Sequence, residues 1–130
     1  AMNTLGIAFV LGLLCLQPVV AGAGEAKKLN PYTGQLDAIQ EGKTLYDRYG
    51  CADCHRSERV TGGSGRGLPV VDDEWVFGSD DETLFKLIRG ELSGQTMPAT
   101  PGKDLPEEEI WKMLAYIRSL YQGDPSKITW

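Results

Sequence analysis

Histidine is nearly absent from this 130-residue sequence, which contains only His55, and cysteine occurs just three times. A structural zinc site needs four ligands, usually cysteine and histidine. One histidine cannot complete a set of two cysteines and two histidines. The only cysteine besides Cys51 and Cys54 is Cys15, which lies inside an apolar N-terminal segment. The sequence also lacks a G-x-x-x-x-G-K motif, which argues against phosphate binding by its glycine-rich segment, residues 62–67. The net charge of −5 argues against nucleic-acid binding.

The most informative motif is Cys51-Ala52-Asp53-Cys54-His55. C-x-x-C-H is typical of covalent c-type haem attachment. Each thiol adds to one vinyl group of the porphyrin, and the histidine that follows can supply an axial imidazole to the iron. The alternative is a thioredoxin-like redox pair, but such a pair follows a strand in a βαβ unit, and no strand pattern is convincing here. We therefore predict one covalent haem c, attached to Cys51 and Cys54, with His55 as an iron ligand.

Three methionines are candidates for the other axial position. Met2 lies in an apolar leader, and Met113 falls among the apolar residues of a predicted helix. Met97 stands in a polar loop before Pro98, which stiffens the chain. Since no second histidine exists and a lysine would have to lose its proton, we predict His55/Met97 ligation, a standard haem pair. Protein ligands at both axial positions block substrate binding at iron, which suits an electron-transfer protein and not an enzyme.

Apolar residues at helical spacing predict an all-α domain. The predicted helices span residues 37–49, 79–89 and 106–121. Asp37 with Gln40 and Ser79 with Glu82 are expected to form capping boxes, and Pro106 suits the first turn of the last helix. With the short haem-attachment segment, this makes three to four helices packed around one covalent haem.

The N-terminal segment differs from the rest of the chain. Residues 5–20 are almost wholly apolar and uncharged, and Ala21 and Ala23 suit a signal-peptidase site. We predict a signal peptide over residues 1–23 and export to the periplasm, with a retained membrane anchor as the alternative. The remaining segments are predicted to be an N-terminal arm (24–36), the haem domain (37–121) and a C-terminal tail (122–130).

The order of these features resembles the class I monohaem c-type cytochromes over residues 30–121. The resemblance implies the cytochrome c fold, in which the first and last helices pack against each other. Gly42 and Tyr46 would then meet Tyr116 and Leu120.

The same resemblance implies further residues around the haem. The Pro69 carbonyl would accept the His55 ring N–H and orient the ligand. Trp75 would donate a hydrogen bond to a haem propionate, although an ordinary core position is equally compatible. Arg66, with Arg56 and Arg59, would surround the exposed haem edge or pair with a propionate. A solvated loop is the alternative for these arginines.

A narrower similarity concerns three segments, at residues 30–34 (NPYTG), 72–75 (DDEW) and 109–112 (EIWK) with 115–120 (AYIRSL). They are similar to small periplasmic cytochromes that accept electrons from PQQ-dependent alcohol dehydrogenases. This implies a quinoprotein dehydrogenase as electron donor, and a cytochrome or oxidase as acceptor. Two alternatives stay open: a haem sensor or enzyme, if Met97 does not bind iron, and a fixed haem subunit of a membrane redox complex, if residues 5–20 are retained.

Overall fold

The structure is a computed structural model that describes residues 26–55, 70, 73–98 and 102–129. The described elements are α1 (Leu36–Arg48), α2 (Cys51–Cys54), α3 (Asp81–Arg89), α4 (Glu107–Leu120) and a short 3-10 helix (Pro125–Lys127). These residues include no strand, and the predicted all-α fold class is confirmed. No helix among them is both long and apolar enough to cross a bilayer. The predicted leader, residues 1–23, lies outside the described part of the chain.

Helices α1 and α4 form the closest helix pair. A Cβ atom placed on Gly42 would lie 2.0 Å from the backbone carbonyl oxygen of Lys112. One turn further along α1, the Tyr46 ring meets the Tyr116 ring edge to face, with 5.4 Å between centroids. The helix pairing expected through Gly42 and Tyr46 is therefore present, although Gly42 meets the backbone of α4 and not a side chain.

Helix α3 completes the core by packing on α4. Phe85 of α3 stacks on Trp111 of α4, with ring centroids 4.4 Å apart. Ile110, Met113 and Leu114 are almost completely buried along the inner face of α4. The core thus lies between α4 and the other two long helices, and α4 contributes its largest share.

The predicted capping box of α1 is wrong. The N-cap residue is Gln35, and its side chain makes no capping hydrogen bond. The Asp37 carboxylate lies inside the first turn, where it accepts a hydrogen bond from the Ala38 amide at 2.9 Å. The helix begins two residues earlier than the Asp37–Gln40 pair would require, since its N-cap is Gln35 and not Asp37.

The predicted capping box of α3 is also wrong. Asp80, not Ser79, is the N-cap, and its Oδ1 atom accepts a hydrogen bond from the Thr83 amide at 3.0 Å. Ser79 Oγ instead accepts a hydrogen bond from the Thr129 amide at 2.8 Å. The Ser79 hydroxyl thus binds the C-terminal segment, and Asp80 caps the helix.

Both terminal segments pack onto the helices. In the arm, the buried Asn30 side chain donates to the Trp111 carbonyl at 2.8 Å, and the Asn30 amide donates to the Asp81 carboxylate at 2.8 Å. In the segment predicted as a tail, Ile128 is buried and Lys127 pairs with Asp73 at 2.8 Å. These two contacts attach the C-terminal segment to the rest of the described chain.

Candidate haem site

A largely apolar cavity of about 600 Å³ lies beside α4 and the end of α3. Its volume falls in the range of cofactor pockets, about 300–1,000 Å³. Its lining residues are Tyr46, Cys51, Cys54, His55, Val70, Glu74, Trp75, Val76, Phe77, Gly78, Leu84, Leu87, Ile88, Thr96, Met97, Pro98, Met113, Leu114 and Ile117.

Five residues predicted from the sequence line this one cavity: Cys51, Cys54, His55, Trp75 and Met97. They come from α2 and from two separate loop segments, so the fold gathers residues that are far apart in the chain. The other predicted haem neighbours, Pro69 and Arg66 with Arg56 and Arg59, lie outside the described residues.

The attachment motif is held by a tight connection from α1. Gly50 adopts a left-handed backbone conformation, φ 71°, which lets the chain turn directly into α2. The His55 amide donates to the Cys51 carbonyl at 2.8 Å, and Tyr46 donates its hydroxyl hydrogen to the His55 carbonyl at 2.8 Å. Burial raises the pKa of Tyr46 well above its ordinary value, so this hydroxyl stays a donor at neutral pH. Both the amide and the carbonyl of His55 therefore have hydrogen-bond partners, which fixes its backbone.

The two other interpretations of the cysteines fit poorly. Neither Cys51 nor Cys54 forms a disulfide bond, and burial raises the pKa of the Cys51 thiol, whereas a reactive redox cysteine has a lowered pKa. Within the described ranges, no group of three or more His, Cys, Asp or Glu side chains is placed to hold a metal ion.

Trp75 supplies a polar group that the cavity does not otherwise satisfy. Its indole Nε1 is buried and has no hydrogen-bond partner among the described residues. Buried tryptophan N–H groups ordinarily find a partner. A haem propionate would provide one. The apolar cavity thus brings together two thiols, an imidazole, a thioether and this indole N–H. These groups fit a covalent haem.

Met113 also lines the cavity, although it lies in the packed core of α4 and is 1 % exposed. This placement agrees with its interpretation as a core residue.

Sequence reasoning missed Gln95, whose side chain donates a hydrogen bond to the Met97 carbonyl. The only available signal was an amide two residues before the methionine in a polar loop.

Comparison with known proteins places this site in a family. A family profile described as cytochrome c oxidase, cbb3-type, subunit III matches residues 37–117, more than half of the chain. The chain belongs to this family.

Two curated relatives are subunits of cbb3-type cytochrome c oxidases. Subunit CcoP of Azospirillum brasilense is 33% identical over 100 residues, which cover 73% of this chain and 32% of the relative. Subunit FixP of Sinorhizobium medicae is 28% identical over 117 residues, which cover 83% of this chain and 38% of the relative. The chain thus spans about a third of the length of these relatives. No solved structure is significantly similar to it.

Family membership identifies the domain as a c-type cytochrome with covalently bound haem c, and as an electron-transfer module and not an enzyme. One C-x-x-C-H motif provides for one haem. The resemblance to c-type cytochromes is confirmed at this level. The narrower link to alcohol dehydrogenases receives no support from these relatives.

Proposed function

We propose that this chain is a haem c domain through which a membrane-bound oxidase complex passes single electrons. The observation that carries the proposal is the meeting of Cys51, Cys54, His55 and Met97 at one apolar cavity. The oxidase assignment comes from the family of the chain and from the printed names of its relatives.

In this proposal each site residue has a separate task. The Cys51 and Cys54 sulfurs would hold the macrocycle, and the His55 imidazole and Met97 thioether would bind the iron. The haem would supply an iron that gains and loses one electron. Two protein ligands would keep other molecules off the iron, and the thioether would raise its reduction potential. The apolar lining limits access of water, which also affects the potential.

The placement in an oxidase complex corresponds to the fixed-subunit alternative of the sequence analysis. It requires that the haem domain face the periplasm and be held at the membrane, by residues 5–20 or by another subunit. A soluble carrier fed by a quinoprotein dehydrogenase is the competing placement. It rests on the similarity of three short segments.

The ligand assignment is tested with the matured holoprotein and two methionine variants. Ferric His/Met haem has a weak near-infrared charge-transfer band between sulfur and iron. We expect the band in the wild type and in Met113→Leu, and its loss in Met97→Ala. Retention of the band in Met97→Ala would contradict the assignment and point to Met113.

The oxidase placement is tested in the native host. Membranes solubilised from cells with a tagged copy of this chain should yield it together with the catalytic subunit of a haem–copper oxidase. The soluble periplasmic fraction, mixed with a quinoprotein alcohol dehydrogenase and its substrate, serves as the comparison. Recovery in the periplasmic fraction only, with rapid reduction by the dehydrogenase, would reject the oxidase placement and favour the soluble carrier.

A further inference from the structure

The side chain of Gln95 connects the methionine loop to α3. Its Nε2 atom donates to the Met97 carbonyl at 2.8 Å and to the Leu87 carbonyl at 3.1 Å. Its Oε1 atom accepts a hydrogen bond from the Leu92 amide at 3.0 Å. Both amide hydrogens and the amide oxygen therefore have partners, so the side chain is held in one orientation.

Leu87 lies on the wall of the same cavity as Met97. It belongs to the last turn of α3, whose end is fixed by a left-handed Gly90 (φ 79°) that donates to the Leu87 carbonyl at 3.2 Å. A hydrogen bond from Gln95 to this carbonyl ties the methionine loop to a rigid helix end. The Leu87 carbonyl thus binds both the methionine loop and the end of the helix that lines the cavity.

The hydrogen bond from Gln95 is important for the position of the Met97 backbone. Within residues 73–98 and 102–129, the hydrogen bond from Gln95 is the only one to the Met97 carbonyl. A thioether reaches a metal only if its backbone stays at the right distance from the cavity. Among the described residues, the hydrogen bond to this backbone comes from the amide of Gln95, two residues earlier in the chain.

We propose that Gln95 is a positioning residue that keeps Met97 on the haem iron. The inference rests on the proposed Met97 ligation. Gln95 touches neither iron nor macrocycle in this scheme; it lowers the population of an open loop in which the thioether has left its axial position.

Imidazole binding to the ferric holoprotein measures that open population. Imidazole takes the axial position only when the thioether has left, so its apparent Kd falls as the open fraction rises. Gln95→Ala removes both donors, and Gln95→Glu replaces the amide by a carboxylate that has no donor at neutral pH. Gln35→Ala is the matched control, because it removes an exposed amide that donates to the Pro31 carbonyl at 2.8 Å.

We expect the apparent Kd of imidazole to fall about 30-fold in Gln95→Ala, the effect of losing the two donated hydrogen bonds at ordinary net strength. Gln95→Glu should show at least as large a decrease, because its carboxylate faces two carbonyl oxygens. Gln35→Ala should match the wild type. The melting temperature of each holoprotein is measured in parallel, so that a general loss of stability is seen separately.

Three results would overturn the proposal. The first is an unchanged imidazole affinity in both Gln95 variants, while the wild type has its charge-transfer band. This result would reject the role of Gln95 and leave the Met97 ligation standing. The second is an equal decrease in Gln35→Ala. The third is a wild-type holoprotein without the band, which removes the Met97 ligation as well.

Discussion

Replacement of Gly42 by alanine should destabilise the domain, although alanine is the better helix former. In an exposed helix, glycine to alanine stabilises by about 1 kcal/mol. Gly42 lies instead where α1 touches α4, and the added methyl group would stand 2.0 Å from the Lys112 carbonyl oxygen. The packing effect and the propensity effect therefore have opposite signs at this position.

The structure indicates which effect is larger. The obstacle is a backbone atom in the middle of α4, so no side-chain rotation can relieve the overlap. The two helices must separate by about 1 Å, which loosens the Tyr46–Tyr116 contact one turn away. Overpacking of a core costs about 1–3 kcal/mol, and more where the backbone must move. After subtraction of the propensity gain, we expect the free energy of unfolding to fall by about 2 kcal/mol.

Guanidinium unfolding of the holoprotein, followed by far-ultraviolet circular dichroism, measures this change. Thr44→Ala is the control on the same helix, because Thr44 is exposed and its hydroxyl only donates back to the Gln40 carbonyl at 3.2 Å. The control should be neutral or slightly stabilising. A Gly42→Ala protein as stable as the wild type would refute the close helix contact on which this prediction depends.

Three further predictions concern two ion pairs and one tryptophan of the cavity wall. Asp81→Asn removes the carboxylate that pairs with the buried Arg118 guanidinium (Nε to Oδ1, 2.8 Å). The free energy of unfolding should fall by about 3–5 kcal/mol, the usual effect of removing one partner of a buried ion pair. Denaturant unfolding checks this, and a loss below about 1 kcal/mol would contradict it. The hydrogen bond from Lys127 holds the pKa of Asp73 below its ordinary value of 3.8. The advantage of the wild type over Asp73→Asn should therefore be complete above pH 3.8 and disappear as the pH falls through the lower folded pKa, as measured by unfolding midpoints across pH. Trp75→Phe removes the orphan donor that would offset a propionate charge, so the reduction potential should fall in a spectroelectrochemical titration; an unchanged potential would show that the indole does not serve the haem.

The features that the sequence predicted well are those set by local spacing. C-x-x-C-H is five consecutive residues, so its chemistry does not depend on the remainder of the fold. Helical periodicity likewise located α1, α3 and α4 to within a few residues of their observed bounds. Met97 was selected by elimination, and its position on the cavity wall with His55 is compatible with that choice.

The features that the sequence did not predict depend on contacts between distant segments. Ser79 fits the capping-box pattern, but its hydroxyl accepts a hydrogen bond from the Thr129 amide instead. A pattern that covers four residues contains no information about a partner fifty residues away. The burial of Asn30 has the same origin, since two of its partners, Asp81 and Trp111, lie on helices far along the chain. The role of Gln95 was not predicted, because its side chain bonds to backbone groups that only the folded loop brings near it. In the sequence it is one polar residue within a polar loop.

These contacts also bear on the choice of electron-transfer partner. Three residues within the segments similar to dehydrogenase-linked cytochromes have internal roles: Asn30 bridges to α4, Trp111 stacks on Phe85, and Arg118 pairs with Asp81. These internal contacts are sufficient reason for the three side chains, so their presence carries no information about a partner. Specificity must instead lie in exposed side chains at the cavity, where Val76 is 70% exposed. Because a docking partner touches such residues and cannot touch Asn30, the likeness of these buried residues cannot decide between a soluble dehydrogenase and an oxidase complex.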